Sequence, residues 1–274
     1  MRVRYSFSSR RTGHIENIRK QRQEYPDIIK KIIEWSDIIL EVLDARFIKD
    51  TRNLELEKTI KDKEKKIIYV INKSDLSSLK EIEDLPSPIS FISCKKREGI
   101  KNLREMIKIA ASKINKQDKI IVGVIGYPNT GKSSLINLLI GRKSAKTGAD
   151  AGFTKGVQKL RLTSEITLLD SPGVIPRTEY SSIENKKLAK QTKVGARSYS
   201  QIKDPEMVVT ELMREFPGVF ETYYKINAQG NPEILIEKLG KQKNFLKKGG
   251  EVDFDKTSRL ILKDWQEGRS SINV

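Results

Sequence analysis

The sequence predicts an α/β fold, namely a doubly wound, mostly parallel sheet followed by a small, mostly α-helical domain. Short runs rich in Ile and Val alternate with amphipathic stretches, which is the rhythm of consecutive βαβ units. Each run leads into a loop that carries polar motif residues. The strand pattern stops near residue 175, and helical spacing dominates beyond it.

The strand and helix segments follow one another in a regular order. The predicted buried strands are 37–46, 66–75, 87–96 and 119–128, and segment 159–173 is predicted to be a hairpin or two neighbouring strands. Helical spacing is found between them, at 100–114 and 132–143. Because ligands of such sheets bind beyond the carboxyl ends of the strands, the motif loops are expected to lie together.

The C-terminal part contains start signals for three helices. Asp204, Asn231 and Asp253 are candidate first residues, and Pro follows the first two. We therefore predict a basic N-terminal arm at 1–25, an α/β domain at 26–195 and a helical domain at 196–274.

The charge of the chain points to a polyanionic partner. There are 53 Lys and Arg against 36 Asp and Glu, a net charge of +17, and residues 197–274 carry 13 basic and 12 acidic side chains. Nearly all of the surplus therefore lies in residues 1–196. RNA, DNA and an acidic membrane are all open as partners. The alternative is a Lys-rich protein from a hot environment.

The single cysteine and the short apolar runs bear on the compartment. Cys94 alone cannot form an internal disulfide framework, which fits a reducing compartment. The apolar runs are far shorter than a bilayer span, and the basic N-terminus lacks the apolar segment of a secretory signal. We expect a cytoplasmic protein with no membrane partner.

A phosphate-binding loop is predicted at 126–133, where the sequence fits GxxxxGK[ST] between a strand and a helix. Its main-chain N–H groups would surround the phosphates of a nucleotide, Lys132 would supply charge to the β- and γ-phosphates, and the Ser133 hydroxyl would coordinate Mg²⁺. The predicted phosphate-binding residues are Pro128, Asn129, Thr130, Gly131, Lys132, Ser133, Ser134 and Gly173.

Gly173 belongs to a second motif, Asp170-Ser-Pro-Gly173, at the end of a strand. The Asp170 carboxylate would support Mg²⁺, and the Gly173 N–H would contact the γ-phosphate. A threonine between the two motifs, Thr154 or Thr147, would close onto Mg²⁺.

The segment 72–75, Asn-Lys-Ser-Asp, predicts a preference for guanine. The Asp75 carboxylate can accept both the N1–H and the exocyclic amine of guanine, whereas adenine offers no such pair of donors. The Lys73 stem would pack over the base, and Ser93-Cys94-Lys95 would support it, with Cys94 as a small residue rather than a nucleophile. The predicted guanine-binding residues are Asn72, Lys73, Asp75, Ser93, Cys94 and Lys95.

The order of the motifs is reversed relative to Ras-like GTPases, because the base motif precedes the phosphate loop. Circular permutation explains this order, since a domain whose termini lie close together can be joined and cut elsewhere without losing its core. The second switch would then lead directly into the C-terminal region.

With this order the sequence resembles the circularly permuted GTPases of ribosome assembly, the YlqF/RbgA–YawG family. The likeness spans roughly residues 10–270. The shared strings are "DAR" and "RN" within 44–53, "GYPNTGKSSLIN" at 126–137, "TGADAGFTKGVQ" at 147–158, "DSPGV" at 170–174 and "GGEVDFDKTSRLILKDW" at 249–265. The resemblance implies a circularly permuted P-loop GTPase domain and favours Thr154 as the switch threonine.

The resemblance also implies a GTP-hydrolysing factor that binds GTP and GDP and docks on the large ribosomal subunit, with its helical domain on rRNA. We expect a monomer that requires Mg²⁺, hydrolyses GTP slowly alone, and is stimulated by the subunit and by K⁺.

Two further roles follow from the resemblance. Val174 stands where Ras-like proteins carry the water-orienting Gln, and an aliphatic side chain cannot orient water. His14, in "RTGHI", matches the family's catalytic His, although a surface His in a basic arm is the alternative. Asn129 matches the Asn that helps to hold K⁺, although it could instead stabilise the turn of the loop.

Two other functional classes are open. A P-loop ATPase or small-molecule kinase would lack the base motif at 72–75, so that motif counts against it. A GTP-gated RNA-binding module with little or no hydrolysis would fit Val174, and a turnover assay with ribosomal subunits would separate it from a GTPase.

Overall fold

The computed structural model describes residues 28–77, 85–116, 118–141, 157–171, 173, 190–195 and 197–270. Its strands are β1 (Ile38–Asp44), β2 (Lys66–Asn72), β3 (Ile89–Phe91), β4 (Ile120–Gly126), β5 (Gln158–Arg161) and β6 (Ile166–Asp170). They form a six-stranded sheet in the order β3-β2-β1-β4-β6-β5. All neighbouring pairs are parallel except β5 and β6, which are antiparallel. The predicted mostly parallel α/β sheet is confirmed.

Helices surround and follow this sheet. They are α1 (28–35), α2 (Ile48–Thr51), α3 (Leu54–Asp62), α4 (Ile100–Ser112), α5 (Lys132–Ile140), α6 (190–193), α7 (Pro205–Glu215), α8 (Val219–Tyr224), α9 (Pro232–Gln242) and α10 (Phe254–Gln266). The sequence placed α4 and α5 correctly but extended each by two or three residues. Helix α3 was missed, and the Asn53 side chain caps it by accepting from the Leu56 N–H.

The chain reverses direction across the sheet between β1 and β4. From β1 it runs outward through β2 to β3, and it then returns to β4 on the other side of β1. The loops that follow β1 and β4 therefore diverge, which opens a crevice at the carboxyl ends of these two strands. The phosphate loop follows β4, so the topology places it at this crevice.

The central strands are buried on both faces, as their continuous apolar sequences predict. Every residue of β1 is buried, and β4 is buried except at Ile121. Side chains of β1, β2 and β4 pack with Leu103 and Ile107 of α4 and Leu135 of α5 in one cluster. This packing fixes the strand ends that carry the motif loops.

The three helix starts predicted in the C-terminal part are confirmed. Asp204, Asn231 and Asp253 each accept hydrogen bonds from main-chain N–H groups of the first turn, and Pro occupies the first position after Asp204 and Asn231.

The helices after residue 204 share an apolar cluster with the α/β part. The ring of Trp265 lies 4.9 Å from that of Phe216 and 5.9 Å from that of Phe47, which belongs to the α/β part. Tyr127 of the phosphate loop joins the same cluster. The predicted boundary at 195/196 stays a prediction, and this core runs across it.

Candidate nucleotide-binding site

The phosphate loop connects β4 to α5, with Gly131 as the residue before the helix. Asn129 adopts a left-handed conformation with φ of 59°, which Asn tolerates better than most residues. The Thr130 side chain is buried and donates to the Tyr127 carbonyl over 3.0 Å. The main-chain N–H groups of the loop and of the first turn of α5 form the type of site that binds phosphate.

Lys132 lies inside this loop rather than in solvent. Its Nζ donates to the carbonyls of Gly126 and Tyr127 over 3.1 Å and 2.6 Å. Burial lowers the pKa of Lys132 to about 8, and the charge of Asp170 opposes that change. The ammonium group is thus held at the base of the loop, where the predicted phosphate contact requires it.

Ser133 and Asp170 meet beside the loop. The Ser133 hydroxyl donates to Asp170 Oδ2 over 3.0 Å, which joins α5 to the end of β6. A hydroxyl and a carboxylate fit Mg²⁺, which prefers oxygen ligands and takes the remainder from phosphates and water. Within the described ranges, no group of three or more His, Cys, Asp or Glu side chains could hold a metal ion. Among the described residues, Ser133 and Asp170 are the pair that would hold Mg²⁺, together with phosphate oxygens of the nucleotide.

Gly173 packs directly against the phosphate loop. A Cβ atom added to Gly173 would lie 2.6 Å from Cα of Pro128, so a larger residue would displace the loop. This contact brings the second predicted motif to the phosphate loop, as a contact with the γ-phosphate requires.

The base loop at 72–75 joins the phosphate loop through Asn72. The buried Asn72 side chain donates through Nδ2 to the Thr130 carbonyl over 2.7 Å. Its Oδ1 accepts from the Cys94 N–H over 3.1 Å. One amide therefore holds together the three segments that the sequence assigned to base, base support and phosphate.

Asp75 is oriented by Ser93. The Ser93 hydroxyl donates to Asp75 Oδ1 over 2.6 Å and also accepts from the Lys96 N–H over 3.0 Å. Burial raises the pKa of the neighbouring Cys94 thiol to about 12, so the thiol stays protonated at neutral pH. This protonation supports the interpretation of Cys94 as a small packing residue rather than a nucleophile.

The sequence interpretation missed the ion-pair network beneath the base loop. Lys73 Nζ and Arg46 Nη2 each lie 2.7 Å from Oδ2 of Asp44, which is fully buried. Burial alone would raise the pKa of Asp44, but the charges of Lys73 and Arg46 outweigh it and hold the pKa well below its usual range. In the sequence, Asp44 and Arg46 stand out only through the family resemblance. The signal that could have indicated the ion-pair network is a pair of opposite charges at the end of a buried strand.

A cavity of about 410 Å³ lies between the base loop and the phosphate loop, within the usual size range of ligand pockets. Its lining includes eight residues that the sequence predicted, namely Asn72, Lys73, Asp75, Cys94, Lys95, Asn129, Gly131 and Ser134. Leu76 of the base loop also lines the cavity.

Another wall of this cavity comes from residues beyond position 194, which the sequence did not indicate. The lining residues there are Gly195, Tyr199, Gln266 and Glu267. Asn129 Nδ2 donates to the Gly195 carbonyl over 2.7 Å, so the residue predicted to hold K⁺ also joins the phosphate loop to this wall.

Several predicted residues lie outside the described part of the chain, namely His14, Thr154, Thr147 and Val174. Their roles stay predictions. Among the helices that the structure describes, none is long and apolar enough to cross a membrane.

Residues 121–229 match the family model described as 50S ribosome-binding GTPase. This match begins within β4, so the base loop precedes it, as expected for a permuted chain. The fold is similar to that of GNP-bound YlqF from T. maritima, with a TM-score of 0.63, 22% identity, and coverage of 90% of this chain and 95% of that one. A GDP-bound YlqF structure gives a TM-score of 0.62 at 21% identity, covering 89% of this chain and 95% of that one.

Curated relatives extend over most of the chain. A protein of Methanocaldococcus jannaschii named uncharacterized GTP-binding protein MJ1464 is 39% identical over 250 residues, which cover 88% of this chain and 65% of that protein. Nucleolar GTP-binding protein 2 of Yarrowia lipolytica is 32% identical, over 87% of this chain and 48% of that protein. Nuclear GTP-binding protein NUG1 of Saccharomyces cerevisiae is 29% identical, over 92% of this chain and 56% of that protein.

The chain spans about half to two thirds of the length of these relatives. Two of their names refer to the nucleus or nucleolus, so the cytoplasmic location expected from the sequence stays a prediction. The permuted motif order, the sheet topology and these similarities agree. The chain therefore contains a GTPase domain of the matched family model, in a circularly permuted fold like that of YlqF.

Proposed function

We propose that this protein hydrolyses GTP during maturation of the large ribosomal subunit and that contact with rRNA stimulates its turnover. The observation that carries the proposal is that the Asn72 side chain links the base loop to the phosphate loop by a hydrogen bond, beside a cavity of about 410 Å³ that both loops line. The family model's description names a ribosome-binding GTPase, which supports the choice of partner.

In this proposal residues of the cavity lining and of the adjoining phosphate loop have separate roles toward the nucleotide. Asp75 would accept from guanine, Lys132 and the loop N–H groups would hold the phosphates, and Ser133 with Asp170 would hold Mg²⁺. The Mg²⁺ ion would neutralise charge that develops on the phosphate oxygens. Asn129 is proposed to support K⁺ beside the phosphates, which predicts faster turnover in K⁺ than in Na⁺.

Exposed basic side chains support contact with RNA. They continue from the base-support segment along α4 and comprise Lys95, Lys96, Arg97, Lys101 and Lys108, interrupted by Glu98 and Glu105. If about six phosphates are neutralised on binding, affinity should fall with salt along a log–log slope of about −4 to −5. An affinity that does not change with salt concentration would mean that these basic side chains are solvated and make no contact with RNA.

Turnover and sedimentation together test the proposal. GTP hydrolysis by the full chain is measured with and without large ribosomal subunits, and sedimentation with the subunits is compared for GDP, a non-hydrolysable GTP analogue and no nucleotide. We expect stimulated turnover, and we expect binding that is tightest with the analogue.

Matched serine variants complete the test. Ser133→Ala should remove Mg²⁺-dependent turnover, whereas Ser112→Ala on the exposed side of α4 should not. Nucleotide-dependent sedimentation without turnover would instead indicate a GTP-gated RNA-binding module. Absence of subunit binding in every nucleotide state would contradict the proposed partner.

A further inference from the structure

The end of α10 forms part of the proposed nucleotide cavity, although every motif that predicts nucleotide binding lies before residue 175. Tyr199, Gln266 and Glu267 line the cavity together with residues of the base and phosphate loops. Gln266 and Glu267 are adjacent, and they end α10. A nucleotide in this cavity would therefore contact the helical part as well as the α/β part.

Gln266 has a structural role in this wall. Its Oε1 accepts from the Tyr199 N–H over 3.2 Å, and its Nε2 donates to the carbonyls of Thr192 and Arg197 over 3.0 Å and 2.8 Å. These bonds fix Thr192, Arg197 and Tyr199 against α10. Because its amide is committed to the main chain, Gln266 shapes the cavity, and Glu267 is the acidic side chain that this wall offers to a ligand.

Two contacts show that Glu267 lies at the base-loop end of the cavity. A Cβ atom added to the next residue, Gly268, would lie 2.6 Å from Cδ1 of Leu76 in the base loop. Arg46, which pairs with Asp44 beneath that loop, donates to the Trp265 carbonyl over 3.1 Å. The phosphate-loop end is marked instead by the contact between Asn129 and Gly195.

The chemistry of the ligand restricts what the Glu267 carboxylate can bind. The side chain is 36% exposed, and its Oε2 lies 2.5 Å from Arg269 Nη2. A carboxylate is negatively charged, so it would repel the phosphates of a nucleotide. It only accepts hydrogen bonds, so its partner on the nucleotide must be a donor. The N1–H and exocyclic amine of guanine are matched by Asp75. The ribose hydroxyls are the remaining donors, and other nucleotide sites bind them with an acidic residue.

We propose that Glu267 binds the ribose of the nucleotide by accepting hydrogen bonds from its 2′- and 3′-hydroxyl groups. This inference rests on the proposal that the cavity binds a guanine nucleotide. It makes the end of α10 a determinant of nucleotide affinity, so the helical part contributes directly to the site.

Calorimetric titration of the full chain tests this role with three ligands: GDP, 2′,3′-dideoxy-GDP and IDP, which lacks the exocyclic amine. Glu267→Ala should weaken GDP binding about tenfold, the size of one charge-assisted hydrogen bond. It should weaken IDP binding by the same factor and leave dideoxy-GDP binding at the parent value. Glu267→Gln keeps an acceptor and should lose less. Glu251→Ala, an exposed glutamate away from the cavity, is the matched control and should bind like the parent.

Each contrary result identifies a different error. Unchanged or tighter GDP binding by Glu267→Ala would overturn the ribose contact, and tighter binding would show a purely electrostatic effect of the carboxylate. An equal loss for all three ligands would assign Glu267 a structural role, and a loss for GDP and dideoxy-GDP but not for IDP would place it on the base amine. If the parent binds GDP normally, such a result contradicts only the ribose contact of Glu267. If the parent binds no GDP, the proposed function itself is contradicted.

Discussion

Asn72 and Thr130 are 58 positions apart in the chain, yet the Asn72 amide donates to the Thr130 carbonyl over 2.7 Å. The same amide accepts from the Cys94 N–H. These two bonds join the base loop to the phosphate loop and to the base-support segment, although the base motif precedes the phosphate loop in the sequence. Permutation therefore changes the chain path without separating the parts of the proposed site.

Asn72→Ala should weaken GDP binding and lower the free energy of unfolding. The change leaves the Thr130 carbonyl and the Cys94 N–H without their partner, and each buried unpaired group costs about 1–3 kcal/mol. Calorimetric titration and denaturant unfolding measure the two effects.

Asn102→Ala, at an exposed position of α4, is the control for the loss of an Asn side chain and should bind GDP like the parent. If Asn72→Ala also keeps parental GDP affinity, the Asn72 amide does not organise the site.

Gly268→Ala should weaken GDP binding through the base loop. Gly268 has φ of 70°, and a Cβ atom there would press on Leu76, which lines the cavity. Gly230 is a matched control, because it has φ of 75° and nothing within 4 Å of an added Cβ. Both variants should lose about 1 kcal/mol of stability from the left-handed conformation.

Only Gly268→Ala should lose GDP affinity, measured by titration of the folded proteins. Equal affinities for the two glycine variants would mean that the packing of α10 against the base loop does not affect the cavity.

Glu41→Gln should flatten the decline of stability with pH. Glu41 is fully buried in β1, where its Oε1 accepts from the Asn53 N–H. Burial, followed by the charge of Glu57, raises its pKa from 4.5 to about 8, against the opposing effects of Asn53 and Arg52. The folded state therefore holds a proton that the unfolded state releases. The associated stability is complete below about pH 4.5 and is lost as the pH rises to about 8.

The slope attributable to Glu41 is at most about 1.4 kcal/mol per pH unit. Urea unfolding at about pH 5, 6.5 and 8 measures it, with Glu105→Gln on the exposed face of α4 as the control. Parallel curves for Glu41→Gln and the parent would show that Glu41 does not carry this proton.

His14→Ala should retain GTP affinity and subunit binding yet lose most of the subunit-stimulated turnover, with little change in the slow basal rate. Val174 cannot orient the attacking water, and a neutral imidazole can accept its proton near pH 7. Single-turnover hydrolysis with and without subunits measures the effect. Stimulated turnover equal to that of the parent would remove His14 from the mechanism.

The parts of the site that the sequence predicted are those encoded in short, contiguous strings. The strands, the phosphate loop and the guanine preference follow from local patterns, because each motif is read within a few residues. The link from Lys73 to Asp44 was missed because it joins the ends of separate strands, β2 and β1, whereas the pair of Asp44 and Arg46 is local.

The wall formed by α10 could not have been found in this way. The hydrogen bond from Arg46 to the Trp265 carbonyl spans 219 positions, and no periodicity of the sequence reports such a contact. Only the fold brings the end of α10 to the base loop.

Replacement of Asp75 tests most directly the claim that this cavity is a guanine-nucleotide site. Ser93 holds one carboxylate oxygen of Asp75 over 2.6 Å, so the side chain is oriented to accept from the base. Asp75→Asn would lose the acceptor pair for guanine and gain a donor for the additional carbonyl of xanthine. The decisive measurement is titration of the parent and of Asp75→Asn with GDP and XDP, with the exposed Asp62→Asn as control. We expect the parent and the control to prefer GDP and Asp75→Asn to bind GDP at least about tenfold more weakly and to prefer XDP. Parental GDP affinity in Asp75→Asn would contradict the assignment of the cavity.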